Sequence, residues 1–170
     1  MIHFVKGDLL DSKCDLICHQ VNCQGVMGSG VARQIREKWP EVYNQYCKRV
    51  ESSLTRGRDL LGQTQAVKIN ENQSVVNIFG QLYYNYDGRR YTSYDAFETA
   101  LYTIKKTYDD KVSIAFPYKI ASDRGGANWR VIRTMIEENL GDRNVFIYYL
   151  DYNTLLPEDR ENINESVKIL

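Results

Sequence analysis

The sequence is short of the residues that announce most kinds of chemistry. Its 170 residues include two histidines and four cysteines. None of the cysteines (Cys14, Cys18, Cys23, Cys47) forms a C-x-x-C pair, and His3 and His19 do not stand at zinc-ligand spacing from them. No metal site is therefore read, and the cysteines are expected to be buried, reduced, small apolar side chains. Neither sign of charge is in excess, with 22 Lys and Arg against 22 Asp and Glu. That balance withholds the broad electrostatic footprint of a nucleic-acid or anionic-membrane binder. It leaves room for a small anion site built from backbone N–H groups. No apolar run is long enough to span a bilayer. The opening MIHFVKGDLL lacks the apolar stretch of a secretion signal, being interrupted by Lys6 and Asp8. The expectation is a cytoplasmic monomer with no membrane and no nucleic-acid partner. Internal repeats and low-complexity segments are also missing.

What is present is an alternation of short apolar runs and amphipathic segments. Ile2–Val5 and Asp15–Val21 read as strands. Gly30–Trp39 carries apolar residues at Val31, Ala32, Ile35 and Trp39, a helical face, and Pro40 opens a second helix to about Glu51. Gln63–Ile69 and Ser74–Phe79 read as strands, and Gln81–Thr92 as a polar, aromatic loop. Ser93 is a suitable N-cap for a helix over Tyr94–Tyr108 packed through Phe97, Leu101 and Ile104. Val112–Phe116 is a strand, Trp129–Leu140 a helix with Gly141 as its stop, and Val145–Leu150 a last strand. A polar tail follows from Asp151, with a short helix expected near its end. The pattern predicts one α/β domain whose mixed, mostly parallel sheet is covered on both faces. Residues 1–150 form its body, and 151–170 are read as an extension of the same domain.

Two loops at expected carboxyl ends of strands are rich in glycine, and each leads into a helix. The first is Asn22–Gly30, with Gly25, Gly28 and Gly30; the second is Ser122–Asn128, with Gly125 and Gly126. Ligands of α/β sheets gather at such ends, and helix N-termini offer unsatisfied N–H groups. Two such loops facing one another would hold a diphosphate with main-chain donors. Tight turns alone would also use glycine, but the pair, with Asn22 beside one and Asp123 beside the other, favours a phosphate-bearing ligand. The first loop follows neither the G-x-G-x-x-G nor the GK[ST] pattern, so spacing does not say which nucleotide.

The segments VKGDLL (5–10), HQVNCQGVMGSGVARQI (19–35) and FPYKIASDRGGANW (116–129) together resemble the macrodomain family. The likeness is greatest to the branch of terminal ADP-ribose glycohydrolases and yeast-type ADP-ribose 1″-phosphate phosphatases. It implies a three-layer α/β/α sandwich that binds ADP-ribose or its 1″-phosphate, or an ADP-ribosylated macromolecule, without a cofactor. Asp8 would then accept from the adenine amino group, and Leu9 would offer its amide nearby. Asn22 would bond the distal ribose, and Gly28, Ser29, Gly30 and Val31 the diphosphate and ribose. Ser122, Arg124, Gly125, Gly126, Ala127 and Asn128 would form the second phosphate loop, and Tyr149 and Leu150 would line the adenine pocket or else pack in the core.

The resemblance also divides on chemistry. The glycohydrolases of this branch use a lysine where this chain has Gln81, and an aspartate that would fall near Gly125. Glutamine cannot form a Schiff base. The phosphatases carry a histidine just before the asparagine motif, where His19 stands. That implies His19 and Asp123 as catalytic residues, His19 as acid or nucleophile and Asp123 as base. As bland alternatives, His19 is a satisfied core histidine, and Asp123 caps the following helix or pairs with Arg124. Tyr83, Tyr84, Tyr86 and Tyr91 form either a stacking lid or a surface cover. The expectation is hydrolysis at the distal ribose, as in the 1″-phosphate phosphatases. A non-catalytic ADP-ribose reader, or a de-ADP-ribosylating hydrolase without the lysine, stands as the alternative.

Overall fold

The computed structural model describes residues 2–163. Its centre is β2 (Leu16–Asn22), buried along almost its whole length, as a strand covered on both faces must be. β1 (Ile2–Lys6), β3 (Thr64–Lys68), β4 (Ser74–Gln81), β5 (Ser113–Pro117) and β6 (Asn144–Tyr149) complete the sheet. Among the described residues it has six strands in the order β1-β6-β5-β2-β4-β3. β3 runs antiparallel to β4, and the other neighbours are parallel. The sheet is thus mixed and mostly parallel, as predicted.

Alternation along the strands sends side chains into two cores. Ile17, Val21, Val75 and Phe79 meet Ile35 of α1 (Gly30–Lys38) and Val42 and Tyr46 of α2 (Pro40–Glu51). Leu16, Cys18, Val76 and Ile78 meet Phe97, Leu101 and Ile104 of α3 (Tyr94–Thr107) and Ile132 and Ile136 of α4 (Trp129–Leu140). The result is a three-layer α/β/α sandwich. Cys14, Cys18 and Cys23 are buried and Cys47 half-buried, all as thiols. Ser93 caps α3 as expected, its side chain accepting from the Ala96 amide at 3.2 Å. Gly141 ends α4 for a different reason from the one expected. Its φ of −64° is right-handed, but a Cβ there would lie 2.3 Å from the Glu137 carbonyl oxygen.

The tail packs against the body. After a turn at Tyr152–Thr154 comes α5 (Pro157–Arg160), and Ile163 forms a bridge with Phe4 of β1. Asp159, with none of its surface exposed, accepts from the Trp129 indole at 2.9 Å and from the Tyr118 hydroxyl, and pairs with Arg133 at 3.0 Å. The helix expected near the end of the chain lies outside the described residues. No helix among the described residues is long and apolar enough to cross a membrane.

Two details aim the strand ends. The β2–β4 register shifts between Val21 and Asn22, so that Gly80 is bypassed. Such a bulge re-aims the side chains that follow it. Past β5 the chain holds Lys119 and Ala121 at φ of 60° and 65°, a left-handed conformation that costs non-glycine residues energy and clusters at functional sites.

Candidate functional site

A cleft of about 730 Å³ opens over the carboxyl ends of the parallel strands, within the range of small-molecule sites. Both glycine loops reach it. The first loop is built in two halves. Asn22 accepts from the Gln24 amide at 2.9 Å and donates to the Val26 carbonyl at 2.8 Å. The Tyr46 hydroxyl receives the Gly25 and Val26 amides at 3.1 and 3.2 Å. That half is self-satisfied, and Met27 pins its end in the core. The other half, Gly28–Val31, faces the cleft. Gly30 holds φ at +58° at the start of α1, a conformation glycine adopts cheaply. Ser29 makes no side-chain cap bond, which leaves the first turn of α1 uncapped by its own N-cap residue and suits an anion.

The second loop contributes less than its sequence implies. Ser122, Asp123, Arg124 and Gly125 line the cleft, whereas Gly126, Ala127 and Asn128 do not. Ala127 is turned into the core, its amide donating to the Ala121 carbonyl at 3.0 Å. Asn128, and not Asp123, caps α4, accepting from the Arg130 amide at 2.9 Å. Unlike α1, α4 therefore spends its own cap. Gly125 is enclosed, and a Cβ there would lie 2.4 Å from Thr92 Oγ1 and 2.5 Å from the Ala121 carbonyl oxygen. The position where the resemblance expects an aspartate has no space for one. Arg124 does not pair with Asp123 among the described residues; its guanidinium stacks 4.0 Å over the ring of Tyr86. This contact ties the loop to the tyrosine segment. Tyr84 and Tyr86 line the cleft, while Tyr83 and Tyr91 are held outside it by Arg58 and Asp87.

At the other end, the Asp8 carboxylate lines the cleft with one oxygen taken by the Leu10 amide at 3.0 Å. Its second oxygen is available to a ligand donor. Leu9 is anchored in the core beside it. Tyr149 is buried and Leu150 is 72% exposed, and both line the cleft. Asp151 and Thr154 of the tail line it too, a contribution hidden in an ordinary polar stretch.

His19 lies at the cleft floor, 1% exposed. Its Nε2 is 2.5 Å from Asn77 Oδ1, and its Nδ1 has no partner among the described residues. Burial pushes its pKa down to about 4, against a smaller upward effect of Asn77, so the ring is neutral near pH 7. Such a group presents a lone pair to electrophiles, and its acid form is scarcely populated near pH 7. Asp123 sits exposed at the rim. Gln81 also lines the cleft but is held on both sides, accepting from Gln20 at 2.8 Å and donating to the Tyr83 carbonyl at 2.8 Å. Burial, and secondarily the charge of Asp59, pushes the Cys23 thiol up to about 12, which makes it no nucleophile. Sequence reasoning missed Gln20, Asn77 and Gln65. For Gln20 and Asn77 a signal was there, a polar residue inside the apolar strands LICHQVN and SVVNIFGQ; Gln65, in the alternating strand TQAVK, carried none.

Comparison with known proteins agrees with this fold. A family model described as Macro domain matches residues 18–136. A DNA ADP-ribosyl glycohydrolase of Thermus aquaticus is 38% identical over 63 residues, 37% of this chain and 16% of that protein. An ADP-ribose 1″-phosphate phosphatase of Meyerozyma guilliermondii is 30% identical over 70 residues, 39% of this chain and 40% of that protein. The match thus spans well under half the length of either relative. Among solved structures, the macrodomain of Thermus aquaticus DarG superposes with a TM-score of 0.71 at 26% identity, covering 88% of this chain and 98% of that one. Thermosipho africanus DarTG, solved in complex with ADP-ribose, has a TM-score of 0.71 at 19% identity over 89% of this chain and 42% of that one.

Proposed function

The chain belongs to the Macro domain family, and on that footing we propose that it binds ADP-ribose and hydrolyses a derivative of it at the distal ribose, with ADP-ribose 1″-phosphate as the favoured substrate. The observation that carries this reading is His19, neutral at the cleft floor, whose buried Nδ1 has no partner among the described residues. The ligand would lie with its adenine at Asp8, Tyr149 and Leu150, its diphosphate over the amides of Gly28–Val31, and its distal ribose toward Asn22 and His19.

The chemistry then runs in two steps. The Nδ1 lone pair of His19 forms a bond to phosphorus as the bond from phosphorus to the ribose oxygen breaks. The departing oxygen keeps the electron pair and takes a proton from water. In the second step Asp123 removes a proton from an incoming water, whose oxygen bonds to phosphorus. The bond to Nδ1 breaks, and its pair returns to the ring. Acid catalysis by His19 is disfavoured by its low pKa.

A second reading, an ADP-ribose reader without turnover, is favoured by the tethered Gln81 and by the closed space at Gly125. Titration calorimetry with ADP-ribose, followed by phosphate release from ADP-ribose 1″-phosphate, separates the two. Binding with release, lost in His19→Ala and Asp123→Ala while binding persists, is the expected result. Binding without release would make the chain a reader. Turnover that survives both substitutions would remove these residues from the mechanism.

A further inference from the structure

Asn77 is wholly buried in the middle of an apolar strand and stands opposite His19 in the β2–β4 register. Its Oδ1 faces His19 Nε2 at 2.5 Å. Its Nδ2 donates to Gln65 Oε1 at 3.1 Å. Gln65 Nε2 in turn donates to the backbone carbonyl of Gln45 in α2 at 3.0 Å. These contacts draw a line of polar groups from α2 through β3 and β4 to the cleft floor.

The far end of that line fixes the direction of every bond in it. A backbone carbonyl can only accept, so Gln65 must turn its NH₂ toward Gln45 and its oxygen toward Asn77. Asn77 must answer with its own NH₂, which leaves its oxygen for the histidine. An amide oxygen also only accepts, so the hydrogen must sit on His19 Nε2. Reversing the ring tautomer would force Asn77 to flip, then Gln65, and would end with two acceptors facing each other at Gln45. Somewhere on the line a buried repulsion would remain.

We propose that Asn77 and Gln65 are positioning residues that lock His19 as its Nε2–H tautomer, so that Nδ1 presents a lone pair. The lock is a property of the chain. Its use in catalysis rests on the reading of His19 as the group that attacks phosphorus. It explains why polar side chains occupy sites where valine or leucine would pack.

The sequence has only two histidines, so nitrogen NMR of the intact chain labelled with ¹⁵N-histidine reads the tautomer directly, and His3→Gln assigns the signals. At pH 7 the expected spectrum for His19 has a protonated Nε2 and an unprotonated Nδ1. A protonated Nδ1, or a mixture of tautomers, in the unmodified chain overturns the proposal without any active-site variant. Gln65→Met removes the anchor at similar volume and lies outside the cleft. It is expected to give a tautomer mixture and a fall in kcat of about tenfold, with ADP-ribose affinity unchanged. A pure Nε2–H tautomer in folded Gln65→Met also overturns the proposal. A locked tautomer in a chain that releases no phosphate upholds the lock and removes the phosphatase reading alone.

Discussion

The hydroxyl of Tyr46 stands 2.7 Å from the backbone oxygen of Asn22 and 2.8 Å from its side-chain oxygen. It donates to Asn22 while accepting the amides of Gly25 and Val26. One buried phenol on α2 thus holds the turn that carries the first glycine loop. Tyr46→Phe keeps the packing and deletes the hydroxyl, leaving the Gly25 amide short of an acceptor and the Val26 amide with only its longer contact to Asn22 Oδ1 at 3.4 Å. A loss of about 1–3 kcal/mol is expected in urea denaturation. ADP-ribose affinity, measured by calorimetry, should fall with it, because the open half of the loop loses its support.

Gly30→Glu tests the anion site. The backbone there is left-handed, and no atom lies within 4 Å of the point a Cβ would occupy. The stability cost is therefore conformational, about 1–2 kcal/mol. The added carboxylate would face the diphosphate, so ADP-ribose affinity should fall by about tenfold or more. A folded variant that binds as tightly as the unmodified chain would move the phosphates away from this loop.

Asp159→Ala should unfold the junction between tail and body. It strips the acceptor from Tyr118 and Trp129 and leaves Arg133 with only the more exposed Glu137, 3.4 Å away. Removing one partner of a buried ion pair costs about 3–5 kcal/mol, readable as a shift of the urea midpoint. Tyr118 and Thr154 both line the cleft, so weaker adenosine binding should accompany the loss.

Acid should destabilise the chain through His19. An unfolded imidazole titrates near 6.5 and the folded one near 4. Between those values the unfolded chain binds a proton that the folded chain does not. Stability is then full above about pH 6.5 and declines as the pH falls toward 4. The gap corresponds to a loss on the order of 3 kcal/mol. His19→Gln has no such group. Urea denaturation at pH 7 and pH 4.5 should show the unmodified chain losing ground to the variant, and parallel behaviour would contradict a neutral buried ring.

Much of this was legible in the residues. Strong periodicity marked β2, α1, α3 and α4, and Ser93 marked its own cap. The strand-to-loop-to-helix joint at Asn22–Gly30 showed in its glycines, because Gly25 and Gly30 take up left-handed backbone at less cost than other residues. What escaped was long-range. Gly126, Ala127 and Asn128 read like their neighbours, but the bond from Ala127 to Ala121 turns the chain away from the cleft. Asp159 looks like any solvated acid in a polar tail, and its burial depends on Tyr118, Trp129 and Arg133, remote in sequence. Asn77 and Gln65 follow no spacing rule; their roles exist only through partners on other elements.

The Gln20 side chain illustrates how such partners constrain descent. It lies across Gly80, where a Cβ would come 2.1 Å from its oxygen, and joins Gln81 to Thr92 at 2.8 and 2.9 Å. Gly125 closes the same knot, its missing Cβ 2.9 Å from the Gln20 nitrogen. A lysine at 81 would have to trade the Gln20 amide donor for the Gln20 oxygen, unpartnered among the described residues, and an aspartate at 125 would have no space until Thr92 and Gln20 moved. Gln20, Gly80, Gln81, Thr92 and Gly125 are thus packed as one unit, and a change at any of them is expected to require compensating changes at the others.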